Sequence, residues 1–260
     1  MKLLDWIPLE KLDWQELSAN PSDGAVDLLL ANPYKIYFSE SAENTNDRMV
    51  NRLLSFGDIT RIDMWSFCGN PNDLAVDFIL KNIDVDECKL AYLCENPNDR
   101  IVDFVLKKKP VIRWLSMNPN DRVVDYLLKF PDSNDWDYLS MNSNDRAVNL
   151  LLQNTDKIDW DLLSTNSNDR ALDCLLSNPE KINWALLSLN TNTRVIEILK
   201  QNQDKINWCN LSRNPWIFEE DYQSLSKERS DLLREELMEK TWHPKRFRHW
   251  CLDTDDEFHL

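Results

Sequence analysis

The chain repeats itself. An Asn followed by Pro, Ser or Thr, and in most copies then by a polar pair, recurs at positions 20, 44, 70, 96, 118, 142, 166, 190 and 214. The spacings are 24, 26, 26, 22, 24, 24, 24 and 24 residues. A unit this short has no core of its own and becomes stable only by stacking on its neighbours, which is the logic of a solenoid. The clearest copies are Asn142-Ser-Asn-Asp-Arg-Ala-Val-Asn-Leu-Leu-Leu152 and Asn166-Ser-Asn-Asp-Arg-Ala-Leu-Asp-Cys-Leu-Leu176. The pattern predicts an all-α fold, an α-solenoid of about eight 24-residue two-helix repeats with helical end caps. The expected divisions are an N-terminal cap at 1–19, the repeat array at 20–213, and a C-terminal helical cap with an acidic tail at 214–260.

Each unit is legible in physical terms. The leading Asn, the Pro after it at 21, 71, 97, 119 and 215, and the acid three places on (Asp23, Asp47, Asp73, Asp99, Asp121, Asp145, Asp169) read as an N-cap, a first-turn Pro and a negative charge at the positive helix end. Apolar residues five, six, nine and ten places after the Asn, such as Ala147, Val148, Leu151 and Leu152, make one stripe on a three-turn helix. Asn32, Asn82, Asn154, Asn178 and Asn202 are placed to end that helix in a left-handed turn, with Pro33 and Pro179 blocking continuation. A shorter helix follows, because Asp13, Asp135, Asp159, Asn183 and Asn207 each precede a Trp, and Leu stands three residues after it. Phe38, Met64, Leu90 and Ile112 take the Trp site in other units, which marks a stacked core ladder. Two residues before each leading Asn the side chain is small, from Ser18, Ala42, Cys68 and Cys94 to Ser212, as close helix packing requires. Capping its own helix is the simpler of two roles open to the leading Asn; the other is an amide ladder that bridges to the adjacent repeat.

Composition narrows the function. Asp and Glu total 45 against 30 Lys and Arg, a net charge of -15, so most of the surface repels phosphate backbones and nucleic acid is not an expected partner. The three glycines, Gly24, Gly57 and Gly69, are scattered, which removes phosphate-cradling loops and Rossmann turns. Asp5, Pro8 and Glu10 interrupt the stretch where a signal peptide needs apolar residues, and no segment is apolar enough to span a membrane. The expectation is a soluble, unsecreted chain whose six cysteines are reduced thiols without a disulfide.

The phrase Leu163-Ser-Thr-Asn-Ser-Asn-Asp169, preceded by Lys157-Ile-Asp-Trp160, resembles the Asn-Pro-Asn-type helical repeat proteins that giant DNA viruses encode in many copies. Asn214-Pro-Trp-Ile-Phe-Glu-Glu-Asp-Tyr222, Arg234-Glu-Glu-Leu-Met238 and His243-Pro-Lys-Arg246 are similar to the closing segment of those proteins. The likeness spans roughly residues 10 to 250; the unit length also resembles, more weakly, leucine-rich variant repeats. This chain departs from the family in its Asn-Asp-Arg-x-Val-Asp-x-Leu-Leu core, so helix register does not carry over. The resemblance implies a non-enzymatic scaffold inside an infected cell or in a virion, with a viral or host protein as partner and no cofactor. A structural virion component, or self-assembly through repeat ends, is the alternative.

Two rows of side chains are candidate partner surfaces. The position four before the leading Asn is not set by the repeat plan: it runs Glu16, Glu40 and Ser66, then Tyr92, Trp114, Tyr138, Leu162 and Leu186. An apolar patch at a variable site suits partner binding, against extra packing beneath the next repeat. The second row is a charged ridge, Arg48, Arg100, Arg122, Arg146, Arg170 and Arg194, with Asp103, Asp125, Asp173 and Glu197 three residues after four of them. On one helix those are neighbours, and stacking aligns them into rows of weak solvated ion pairs or a grip for an acidic peptide. The short unit with Lys107-Lys-Lys-Pro110 is a place for a bend or a basic knob. No catalytic set is visible. His243, His249 and Cys251 make at most an incomplete zinc set, and no metal is expected. Residues 217–241 read as one long helix, 245–252 as a short one, and 253–257 as an acidic tail.

Overall fold

A computed structural model describes residues 1–55, 62–82, 87–108 and 110–241. His243, His249, Cys251, the final short helix, the acidic tail and Lys109 of the lysine run lie outside the described residues. The described chain is all-α: seventeen α-helices, with strands only at Lys2–Leu3 and Phe218–Glu219. It forms two compact units, Leu3–Glu219 and Met1–Lys2 with Glu220–Leu260. The described part of the second unit is chiefly the helix Tyr222–Thr241. That helix starts later than the expected 217 because Pro215–Ile217 forms a 3-10 turn and Phe218 turns extended.

Within Leu3–Glu219 a short helix and a longer one alternate, as at Trp160–Leu163 and Asp169–Leu176. The longer helices begin at the acid itself: Asp23, Asp47, Asp73, Asp99, Asp121, Asp145 and Asp169. Their caps are therefore not the leading asparagines but the residues two places later. Asn98, Asn120, Asn144, Asn168 and Asn192 each accept the N–H two residues on, and Ser22 accepts that of Ala25. The stop signals also act differently from expectation. Asn32, Asn154, Asn178 and Asn202 sit near φ −128 or −129, outside the left-handed region. Each donates its side-chain amide to the carbonyl four residues back, at 2.8 or 2.9 Å, and so satisfies a helix-end acceptor that would otherwise be orphaned.

The stripe five, six and nine places after each leading Asn is buried without exception from Ala25, Val26 and Leu29 to Val195, Ile196 and Leu199. Burial of each Leu or Val side chain supplies roughly 1.5–3 kcal/mol. The Leu three residues after each Trp is fully buried (Leu17, Leu139, Leu163, Leu187, Leu211). The Trp residues themselves are half-buried rather than locked in the core. A lysine ammonium lies over four of them: Lys35 on Trp14 at 3.9 Å, Lys157 on Trp136 and Lys205 on Trp184 at 4.2 Å, and Lys11 on Trp208 at 4.4 Å. An aromatic face with one side on the core and the other on a cation is a stable compromise for so large a ring.

The leading asparagines are all buried and form the ladder. Asn44 donates one amide hydrogen to the Asn20 carbonyl and the other to the Ser18 carbonyl, at 2.8 and 2.9 Å. The same pair of bonds links 70 to 44, 96 to 70, 118 to 96, 142 to 118, 166 to 142, 190 to 166 and 214 to 190. Each Oδ1 accepts the N–H two residues ahead, so one side chain satisfies three buried backbone groups.

The ladder closes on itself. Asn20 donates to the carbonyls of Asn214 and Ser212 at 2.8 and 2.9 Å, so the first rung rests on the last as every other rung rests on its predecessor. Asp13 N–H donates to Ser212 Oγ at 2.9 Å, matching the bonds from Asp159 to Ser140 and Asn183 to Ser164. Leu4 N–H donates to the Ile217 carbonyl at 2.9 Å, and Trp6 packs against Trp208. Stretch 1–19, expected as an N-terminal cap, thus holds half of a working repeat, Trp14–Leu17, and Asn214 is a rung. The seam has one special residue: Gly24 stands where six other repeats carry Arg and one carries Leu74, and a Cβ there would collide with the Phe218 ring.

Candidate partner-binding face

The short helices present their last turn on one face of the array. Residues four and one before the leading Asn meet there: Tyr92 with Glu95, and Trp114 with Met117, line one hollow. Around Tyr92 the face is hollow. One cavity of about 210 Å³ is lined by Ala91, Tyr92, Glu95, Trp114, Met117 and Tyr138. A second, of about 350 Å³, shares Tyr92, Glu95 and Met117 and extends to Glu43, Ser66 and Gly69. Of the aromatic and aliphatic row expected from sequence, Tyr92, Trp114 and Tyr138 meet at one cavity, whereas Leu162 and Leu186 are half-buried and line neither. Tyr92 and Tyr138 are 40% and 41% exposed, so a partner reaches them without unfolding anything. Trp65, four residues before Gly69, adds its ring to Tyr92 at 5.6 Å between centroids.

The cavities sit where the repeat is least regular. In place of a four-residue helix stands Glu87–Glu95, and in the next unit a 3-10 turn, Ile112–Leu115. Charge borders the cavities as well: Arg213 Nε is 2.6 Å from the Glu16 carboxylate, and its Nη1 is 2.9 Å from Glu43, which lines the second cavity.

Sequence reasoning missed Glu95, Glu43 and Arg213. Their signal was available, since the position just before the leading Asn is as variable as the one four before it: Ala19, Glu43, Gly69, Glu95, Met117, Met141, Thr165, Leu189, Arg213. Glu95 is half-buried and pairs with no cation among the described residues. Burial raises its pKa above the ordinary carboxylate value, and the nearby Glu43 charge raises it further. Cys94 beside it is fully buried, its thiol pushed up to about 12 by burial and then by the Glu95 charge, so it fills the small site below the ladder as an inert side chain.

The arginine ridge is real but spent. Each Arg reaches back to the preceding repeat, not along its own helix: Arg48 to Asp27, Arg100 to Asp77, Arg122 to Asp103, Arg146 to Asp125 and Arg194 to Asp173. Arg170 reaches Asn149 in the same way. Hydrogen bonding to Arg100 and Arg122 pulls the Asp77 and Asp103 carboxyls below their ordinary values. Both partners of each pair are about half exposed, and such pairs contribute little individually.

Among the described residues no group of three or more His, Cys, Asp or Glu is placed to hold a metal ion, and no helix is long and apolar enough to cross a membrane. No protein family, no curated protein and no solved structure matches the chain.

Proposed function

We propose that the protein is a non-enzymatic scaffold that captures another protein on the face built by the last turns of its short helices. One observation carries this reading: the repeat commits its asparagines, serines and arginines to bonds between neighbours, and leaves Tyr92, Trp114 and Tyr138 around an open cavity. Exposed aromatics at a concave site are the residues that concentrate binding energy. The sequence resemblance to repeat proteins of giant DNA viruses supports reading the partner as a viral or host protein. Ladder closure weighs against the alternative of head-to-tail assembly, because the first and last rungs already satisfy each other.

The test is partner capture from infected cells with the Tyr92→Ser, Trp114→Ser, Tyr138→Ser triple variant beside Arg122→Ser, Arg146→Ser. The triple variant is expected to fold and lose its partners, each truncation weakening capture by ~2 kcal/mol or more where it is a hot spot. Loss of partners by the arginine variant alone would move the site to the ridge. Retention by both, with defective particle assembly, would replace the scaffold with a structural component.

A further inference from the structure

The ligand chemistry of the cavity follows from what its wall lacks. Glu95 is drawn out of water against Tyr92, Trp114, Met117 and Tyr138, and no cation of the described chain answers it. Elsewhere on the same face two carboxylates are answered by a cation: Arg213 bridges Glu16 and Glu43. A half-desolvated carboxylate costs free energy until an opposite charge arrives, and burial together with Glu43 already pushes its protonation upward. Beside Ala91 and Met117 the wall carries three aromatic rings from successive repeats, and ring faces attract cations most strongly where water is excluded. The fold uses this chemistry between its own repeats, with lysine ammonium groups 3.9 to 4.4 Å from the centres of four Trp rings. An anion is repelled by Glu95, and a purely apolar group would leave that carboxylate half-desolvated and unpaired.

We propose that the cavity formed by Tyr92, Trp114, Tyr138 and Glu95 binds the cationic side chain of a basic polypeptide segment, its ammonium or guanidinium group lying against the ring faces and paired with Glu95. This rests on the scaffold reading and gives that scaffold a partner chemistry: a chain that is itself acidic, with a net charge of -15, selects a Lys- or Arg-bearing segment and anchors one cation in the cavity.

The full chain is titrated against short fluorescein-labelled Gly/Ser peptides with lysine, arginine or Nε-acetyllysine at one central position, by polarisation at about 0.15 M salt. A cationic peptide is expected to bind about tenfold more tightly than its acetylated counterpart, and the lysine and arginine arms identify which cation fits. Glu95→Gln is expected to lose that tenfold preference while its thermal midpoint stays equal or rises, which separates loss of charge from loss of fold. Equal binding of the acetylated and cationic peptides, unchanged preference in Glu95→Gln, or no binding of any peptide overturns the cation site. If the cation preference is absent but the aromatic triple variant still loses its infected-cell partner, the scaffold reading survives and only this inference falls.

Discussion

From Asn118 to Asn214 the rungs are evenly spaced by 24 residues; from Asn44 to Asn118 they are spaced by 26, 26 and 22. Both arcs carry the same ladder, with the bonds from each rung Asn to the carbonyl of the preceding rung Asn between 2.8 and 3.0 Å. The regular arc places Ser116, Ser140, Ser164 and Ser188 beneath the rungs, each hydroxyl accepting an N–H of the next repeat. The irregular arc has Ala42, Cys68 and Cys94 there, and it supplies every wall residue of the two cavities except Tyr138. The difference teaches that the rung is the invariant of this fold. Chain between rungs is lengthened or shortened at small entropic cost, and that freedom is where the binding face acquires its shape.

The largest expected effect strikes both arcs alike. Asn166→Leu and Asn96→Leu each strip two donors and one acceptor from buried backbone groups, at about 1–3 kcal/mol per orphaned group, so urea unfolding should show a loss of at least ~3 kcal/mol for either. Asn20→Leu should cost as much, since its rung closes the circuit; a loss below about 1 kcal/mol would mean that the seam is not a true rung.

Gly24→Ala isolates the seam. In an exposed helix this change gains up to ~1 kcal/mol, but the new Cβ would displace the buried Phe218 ring, so a net loss of about 1–3 kcal/mol is expected. A stabilised Gly24→Ala protein would show that Phe218 yields freely and that the closing contact is loose.

A pH titration sharpens the contrast at the cavity. The Glu95 pKa is raised in the folded state, so over the range above its unfolded value the folded chain holds the proton more tightly, and stability falls as pH rises through that window. Wild-type thermal midpoints should therefore approach those of Glu95→Gln as the solution is acidified and fall below them at neutral pH. Identical pH profiles would show that Glu95 is fully solvated. The smallest effect belongs to the ridge: Arg146→Ser should cost no more than ~1 kcal/mol and less at high salt, because the pair with Asp125 is exposed. A larger loss would mean the arginines cooperate along the array.

Much of this was readable from residues alone. The period, the two helices per unit, the buried stripe from Ala25 to Leu199 and the small site below each rung follow from spacing and side-chain size, which act within a single repeat. The variable row at Tyr92, Trp114 and Tyr138 was also visible, because departure from a repeat plan is itself a sequence signal. What the tertiary structure decided is what passes between repeats. The leading Asn had capping and laddering both open to it, and only the approach of the preceding backbone, with two carbonyls within 3 Å, selects the ladder. The arginines had an acid on their own helix and another on the preceding repeat, and stacking chose the latter. Closure of rung 20 onto rung 214 depends on the small rotation from each repeat to the next, summed around the array. No single repeat encodes that sum, so the circuit, like the pairing of Glu95 with three aromatic rings from different repeats, exists only in the assembled chain.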